Sequence, residues 1–188
     1  MTGELQNRLA GAERPATASS LLEGLSVRLF SEHDDIAVVT GLLHRAYEPL
    51  LREGIPFLAA TQDDATTRSR IEARECWLVE RYGELLATVT FSAHHQTAGC
   101  AWFDRPGVAS FGQLAVHPGF QCYGLGGQLL DLVEGRARAT GATDLALATA
   151  EQASDLIAWY TRRGYRVVDH AHFDPASYRR VIANKAVA

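Results

Sequence analysis

Apolar residues recur along the chain at two periods, and the switching between them predicts a succession of strands and helices. Leu25 to Phe30 alternate apolar and polar side chains, as a half-buried strand does. Ser31, Glu32, Asp34 and Asp35 then put acid where the positive end of a helix dipole favours it. Ile36, Val39, Leu42 and Leu43 follow at helical spacing toward Tyr47. Pro49 and Pro56 bracket a break, after which Asp63, Asp64 and a Thr- and Arg-rich stretch to Arg74 predict a second, more polar helix. Cys76 to Glu80 and Leu85 to Ala93 read as strands joined by Arg81-Tyr82-Gly83-Glu84, a hairpin turn for which Gly83 supplies the permissive backbone. His94 to Gly107, with Trp102 and Phe103 as exposed-looking aromatics, is too long for a tight turn and predicts a pocket-shaping loop.

The second half alternates strand and helix. Val108 to Val116 is an apolar strand closed by Pro118-Gly119, and a Gly-rich turn from Gln121 opens a helix with Leu125, Leu129, Leu132 and Val133 on one face. Gly141 stops it; Leu145 to Thr149 is a buried strand, and Glu151 to Arg163 is a helix stopped by Gly164. Tyr165 to His170 and Tyr178 to Val187 are the last strands. A meander followed by strand-helix-strand-helix-strand predicts an α/β fold: a mixed, mainly antiparallel sheet of about six or seven strands flanked by about four helices.

The 188 residues suffice for one domain with a substantial core. Residues 1–23 mix Gly, Pro, Ser and Thr without a period and are expected to be a flexible arm, leaving 24–188 as the single domain. A net charge of -4, with basic residues scattered among acids, excludes a nucleic-acid binder. No apolar run is long enough to span a bilayer, and acids stand where a signal peptide would be basic and then apolar, so a cytoplasmic location without membrane attachment is expected. Cys76, Cys100 and Cys122 show neither a disulfide framework nor zinc spacing. His94 and His95, as strand neighbours, would point to opposite faces, and no metal site is expected.

Between strand and helix, Gln121-Cys122-Tyr123-Gly124-Leu125-Gly126-Gly127-Gln128 brings consecutive backbone N–H groups and a positive helix end to one point, which suits an anion such as a pyrophosphate. A nucleoside-triphosphate loop fails for want of the Lys and hydroxyl after the glycines. A dinucleotide fingerprint fails because Leu129 stands where the third Gly is required.

Gln-x-x-Gly-x-Gly at Gln121, Gly124 and Gly126, preceded by Leu114-Ala115-Val116-His117-Pro118, resembles the acyl-CoA motif of the GNAT acyltransferases. Ala158-Trp159-Tyr160-Thr161-Arg162-Arg163-Gly164-Tyr165 resembles the family's later helix, and the resemblance runs roughly from Leu25 to Val187. It implies acetyl transfer from acetyl-CoA, a co-substrate, to a primary amine on a small molecule or a protein, through a tetrahedral intermediate and without a metal. Gln121, Cys122, Tyr123, Gly124, Leu125, Gly126 and Gly127 would take the pyrophosphate, and the backbone of Leu114, Ala115 and Val116 would align the pantetheine and polarise the thioester. Tyr160 would protonate the departing thiolate.

The chain departs from the family pattern at Ala153 and Leu156, where an Asn and an Ala are usual, and at Phe111-Gly112-Gln113, where many relatives carry a Glu. His94, His95, His117, Glu151, Asp155 or an ordered water chain are the alternatives for the base. A non-catalytic acyl-CoA-binding or sensor domain of the same fold is the other reading. Pairing of two copies through the last strand, Tyr178 to Val187, is expected from the resemblance.

Overall fold

In the computed structural model, residues 23–97, 100–171 and 178–188 are described, so the expected arm lies outside them apart from Glu23. Asp35 and Asp63 start the first two helices by accepting hydrogen bonds from the Ala37 and Thr66 N–H groups, at 2.9 and 2.8 Å. In chain order the elements are β1 (Leu25–Leu29), α1 (Ile36–Arg52), α2 (Asp64–Ile71), β2 (Glu75–Arg81), β3 (Glu84–Ser92), β4 (Val108–Val116), α3 (Leu125–Ala139), β5 (Asp144–Ala150), α4 (Ser154–Arg162), β6 (Arg166–Ala171) and β7 (Arg180–Ala186).

One seven-stranded sheet, within the six or seven strands that the sequence pattern predicts, runs β1-β2-β3-β4-β5-β7-β6. Every pairing is antiparallel except β4 with β5. That parallel contact covers only Val108 to Ser110 against Asp144 to Ala146, beyond which the strands part and leave a wedge. Alternation along the strands feeds two cores. Leu78, Leu85 and Ala115 face α1 and α2, whereas Val79, Leu86 and Val116 face α3 and α4.

In β4 a bulge sets Gln113 and Leu114 against the single residue Val89, and Gln113 takes φ 49°. A left-handed backbone at a non-glycine residue costs on the order of 1 kcal/mol. It turns the strand just where the wedge begins to open.

Three expectations are corrected. Pro49 does not end α1: its missing N–H falls in the last turn, which Tyr47 and Leu50 hold by packing against Ile55 and Phe57. Phe103 is 8 % exposed and plugs a small core with Val108, Ala146 and Ile182. His94 and His95 lie in the turn after β3, where the predicted loop begins, with rings edge-on at 5.5 Å. The last strand, β7, has β5 on one side and β6 on the other, so the edge open to strand pairing at this end is β6.

Candidate active site

At the end of β4 the Val116 carbonyl accepts a hydrogen bond from the Gln121 side-chain amide at 3.1 Å, which ties the Gly-rich loop back to the strand. His117 Nδ1 accepts from the Gly119 N–H at 3.2 Å and shapes the intervening turn, Pro118–Phe120. Cys122 at φ 65° and Gly124 at φ 92° then reverse the chain into α3. Gly124 caps that helix without a side chain, and its first turn carries no acid. The opening N–H groups, from Leu125 to Gly127, therefore face the loop mouth without an intrahelical acceptor. The loop lies close to α4: a Cβ on Gly126 would stand 3.5 Å from the Trp159 ring.

From this loop a cavity of about 880 Å³ runs into the wedge between β4 and β5 and reaches α1 and α2. Leu114, Ala115, Val116, Gln121, Cys122, Gly124, Gly126, Gly127 and Tyr160 all line it. Tyr123 and Leu125 do not; Leu125 is 2 % exposed and packs in the core, so its backbone N–H is what it can offer a ligand. Tyr160 is buried against Phe111, Trp159 and Tyr165, with ring centroids at 6.0, 4.9 and 5.8 Å. Burial holds its phenol well above the ordinary tyrosine range, so it keeps its proton.

Of the candidate bases only Asp155 lines the cavity. His117 is occupied by the turn it shapes, and Glu151 faces Arg179 and His170 at 3.3 and 3.4 Å. Among the described residues no group of three or more His, Cys, Asp or Glu side chains could hold a metal ion. No described helix is long and apolar enough to cross a membrane.

The far end of the cavity went unseen in the sequence. Tyr47 donates to the Leu114 carbonyl at 2.9 Å, and burial pushes its phenol up to about 12. Arg70, Gln113 and Arg180 line the same end and also border an adjoining cavity of about 240 Å³. They come from α2, β4 and β7, and no local pattern unites them. The Thr- and Arg-rich composition of α2 was the available signal.

Residues 42–165 match the Acetyltransferase (GNAT) family. The chain belongs to that family. Over 126 residues it is 33 % identical to S-(2-succino)cysteine N-acetyltransferase of Bacillus subtilis, an alignment covering 64 % of this chain and 72 % of the relative. The ribosomal-protein-S18-alanine N-acetyltransferase of Escherichia coli superposes with a TM-score of 0.64 at 17 % identity, over 87 % of this chain and 94 % of that one. A GNAT acetyltransferase of Elizabethkingia anophelis, crystallised with acetyl-CoA bound, gives 0.62 at 15 % identity, over 87 % and 99 % of the two chains. These two likenesses are of fold. The wedge and the uncapped start of α3 open onto one cavity.

Proposed function

We propose that this GNAT enzyme transfers an acetyl group from acetyl-CoA to a primary amine by direct attack. The observation that carries the proposal is a single cavity joining the uncapped start of α3 to the buried Tyr160 through the wedge. The N–H groups from Leu125 to Gly127 and the positive end of α3 suit the pyrophosphate. The bulged Gln113–Leu114 backbone beside the wedge suits the pantetheine and the thioester carbonyl.

The amine nitrogen attacks that carbonyl, a backbone N–H of β4 steadies the oxyanion, and the C–S bond breaks as Tyr160 gives its proton to the thiolate. The attacking amine loses its proton to water or to Asp155, the carboxylate along the cavity wall. The relative that acts on S-(2-succino)cysteine makes free cysteine derivatives the first acceptors to try.

Calorimetric titration with acetyl-CoA tests the donor site. Saturable binding is expected in the wild type and none in Gly124→Glu, because a carboxylate at φ 92° would be strained and would repel the pyrophosphate. Equal binding by both proteins would place the donor elsewhere. Binding without turnover on any amine would leave an acyl-CoA-binding domain.

A further inference from the structure

The edge that β4 turns to the wedge divides its donors from its acceptors. The His117 N–H donates to the Leu86 carbonyl of β3 at 2.7 Å, and Ala115 stands opposite Thr88 of the same strand. In an antiparallel pair, positions that bond to the partner alternate with positions that turn their N–H and C=O to the other edge. Ala115 and His117 therefore serve β3, while Leu114 and Val116 turn to the edge from which β5 has parted. Both of these residues line the cavity.

On that edge both carbonyls are engaged by side chains of the protein itself. The Tyr47 hydroxyl donates to the Leu114 carbonyl at 2.9 Å, and the Gln121 amide to the Val116 carbonyl at 3.1 Å. What the edge turns to the cavity as donors are the N–H groups of Leu114 and Val116. Two features make the Tyr47 bond firm. Its ring packs against Phe57 at 5.2 Å, and Phe57 against Tyr178 at 5.7 Å. Burial, which pushes the phenol up to about 12, keeps the hydroxyl a donor throughout the physiological range. The bond also meets the bulge, since Leu114 follows Gln113, whose φ of 49° takes the backbone out of the regular ladder.

We infer that Tyr47 is a positioning residue for the transfer: its hydroxyl fixes the bulged Leu114 backbone so that the Leu114 and Val116 N–H groups, and not the Leu114 carbonyl, face the thioester oxygen. The inference rests on the acetyl-transfer reading and adds to it the group that sets the oxyanion donors. Attack by the amine turns the thioester oxygen into an oxyanion, which N–H groups stabilise and an unshielded carbonyl dipole repels. A hydroxyl bound to that carbonyl removes the repulsion and stops its peptide from turning, so the donors need no reorganisation at the moment of reaction. A merely structural bond would fasten α1 to the sheet, and the two roles differ in what they do to a bound thioester.

The probe is acetyl-CoA isotopically labelled at its acetyl carbonyl carbon, bound without an acceptor and read by isotope-edited infrared spectroscopy. Binding to the wild type is expected to lower the carbonyl stretching frequency, as hydrogen bonds to the oxygen do. Tyr47→Phe removes one oxygen and keeps the ring, and it should lose most of that shift. Tyr160→Phe should keep the shift, because its hydroxyl acts on the sulfur. With an amine acceptor, Tyr47→Phe should lower kcat about 10-fold at unchanged KM for acetyl-CoA. That is less than the roughly 100-fold or more for deleting an oxyanion donor, since the donors are displaced and not removed. Water from the cavity can reach the freed carbonyl, and circular dichroism with acetyl-CoA titration shows that the variant is folded.

A carbonyl shift that survives Tyr47→Phe overturns the inference while acetyl transfer stands, and a lowered urea midpoint would then mark the bond as a fastening. Loss of the shift in Tyr160→Phe as well would mean a general loosening of the cavity and overturns it too. So does a wild type that acetylates an amine with no shift on binding. A Tyr47-dependent shift without any product would uphold the positioned carbonyl while sinking acetyl transfer, and no binding of acetyl-CoA would sink both.

Discussion

Tyr160 shows how burial prepares a side chain for one task. Among the described residues no group hydrogen-bonds to its hydroxyl, and desolvation penalises the phenolate. The proton is therefore available at the cavity wall throughout the physiological range. Since the folded-state pKa is raised, the proton is held at pH values below it and lost only above. The kcat profile should thus show no falling limb from this residue below about pH 10, the ordinary phenol value. Tyr160→Phe should lower kcat about 100-fold, at the low end for general acid catalysis, while titration with acetyl-CoA gives unchanged affinity. An unchanged kcat would show that water protonates the thiolate.

Among the elements, α3 is engaged at two places: its first turn opens on the cavity and its middle is bound to β7. Glu134, 6 % exposed, accepts both hydrogen bonds of Lys185, at 2.8 Å each, and a longer one from Tyr165 at 3.3 Å. Lys185→Met would strand that carboxylate. We expect a loss of about 2–3 kcal/mol, less than for a fully buried pair because the Lys185 side chain is 27 % exposed. Urea unfolding measures it, and Glu134→Gln combined with Lys185→Met should recover much of the loss.

This scale also divides what was legible from what was not. The strand, loop and helix of β4 and α3 could be read because all their signals are adjacent in sequence: Leu114 to Val116, the glycines, then the apolar stripe. Pro49 misled because local steric preference was outweighed by the packing of Tyr47 and Leu50. The bulge at Gln113 and the meeting of Arg70 with Arg180 depend on strand register and on tertiary approach. Neither leaves a periodic trace. The residues around the Gly-rich loop were therefore nameable in advance, and those at the far end of the cavity were not.

At the scale of the whole molecule, the two halves of the sheet share only the short parallel contact between β4 and β5. Elsewhere along the seam, backbone that a neighbouring strand would ordinarily satisfy borders the cavity instead. An extended donor laid into the seam would act as a guest rung of the ladder, so occupancy and folding become linked equilibria. At a hundredfold excess over the dissociation constant, mass action adds about 2.7 kcal/mol. For a domain of this length that raises the melting temperature by roughly 5–10 °C. Differential scanning calorimetry with and without acetyl-CoA would register the rise, and Gly124→Glu should show none. Such a protein would also report the cell's donor supply through its own lifetime, since the empty form opens to proteases more often than the loaded one.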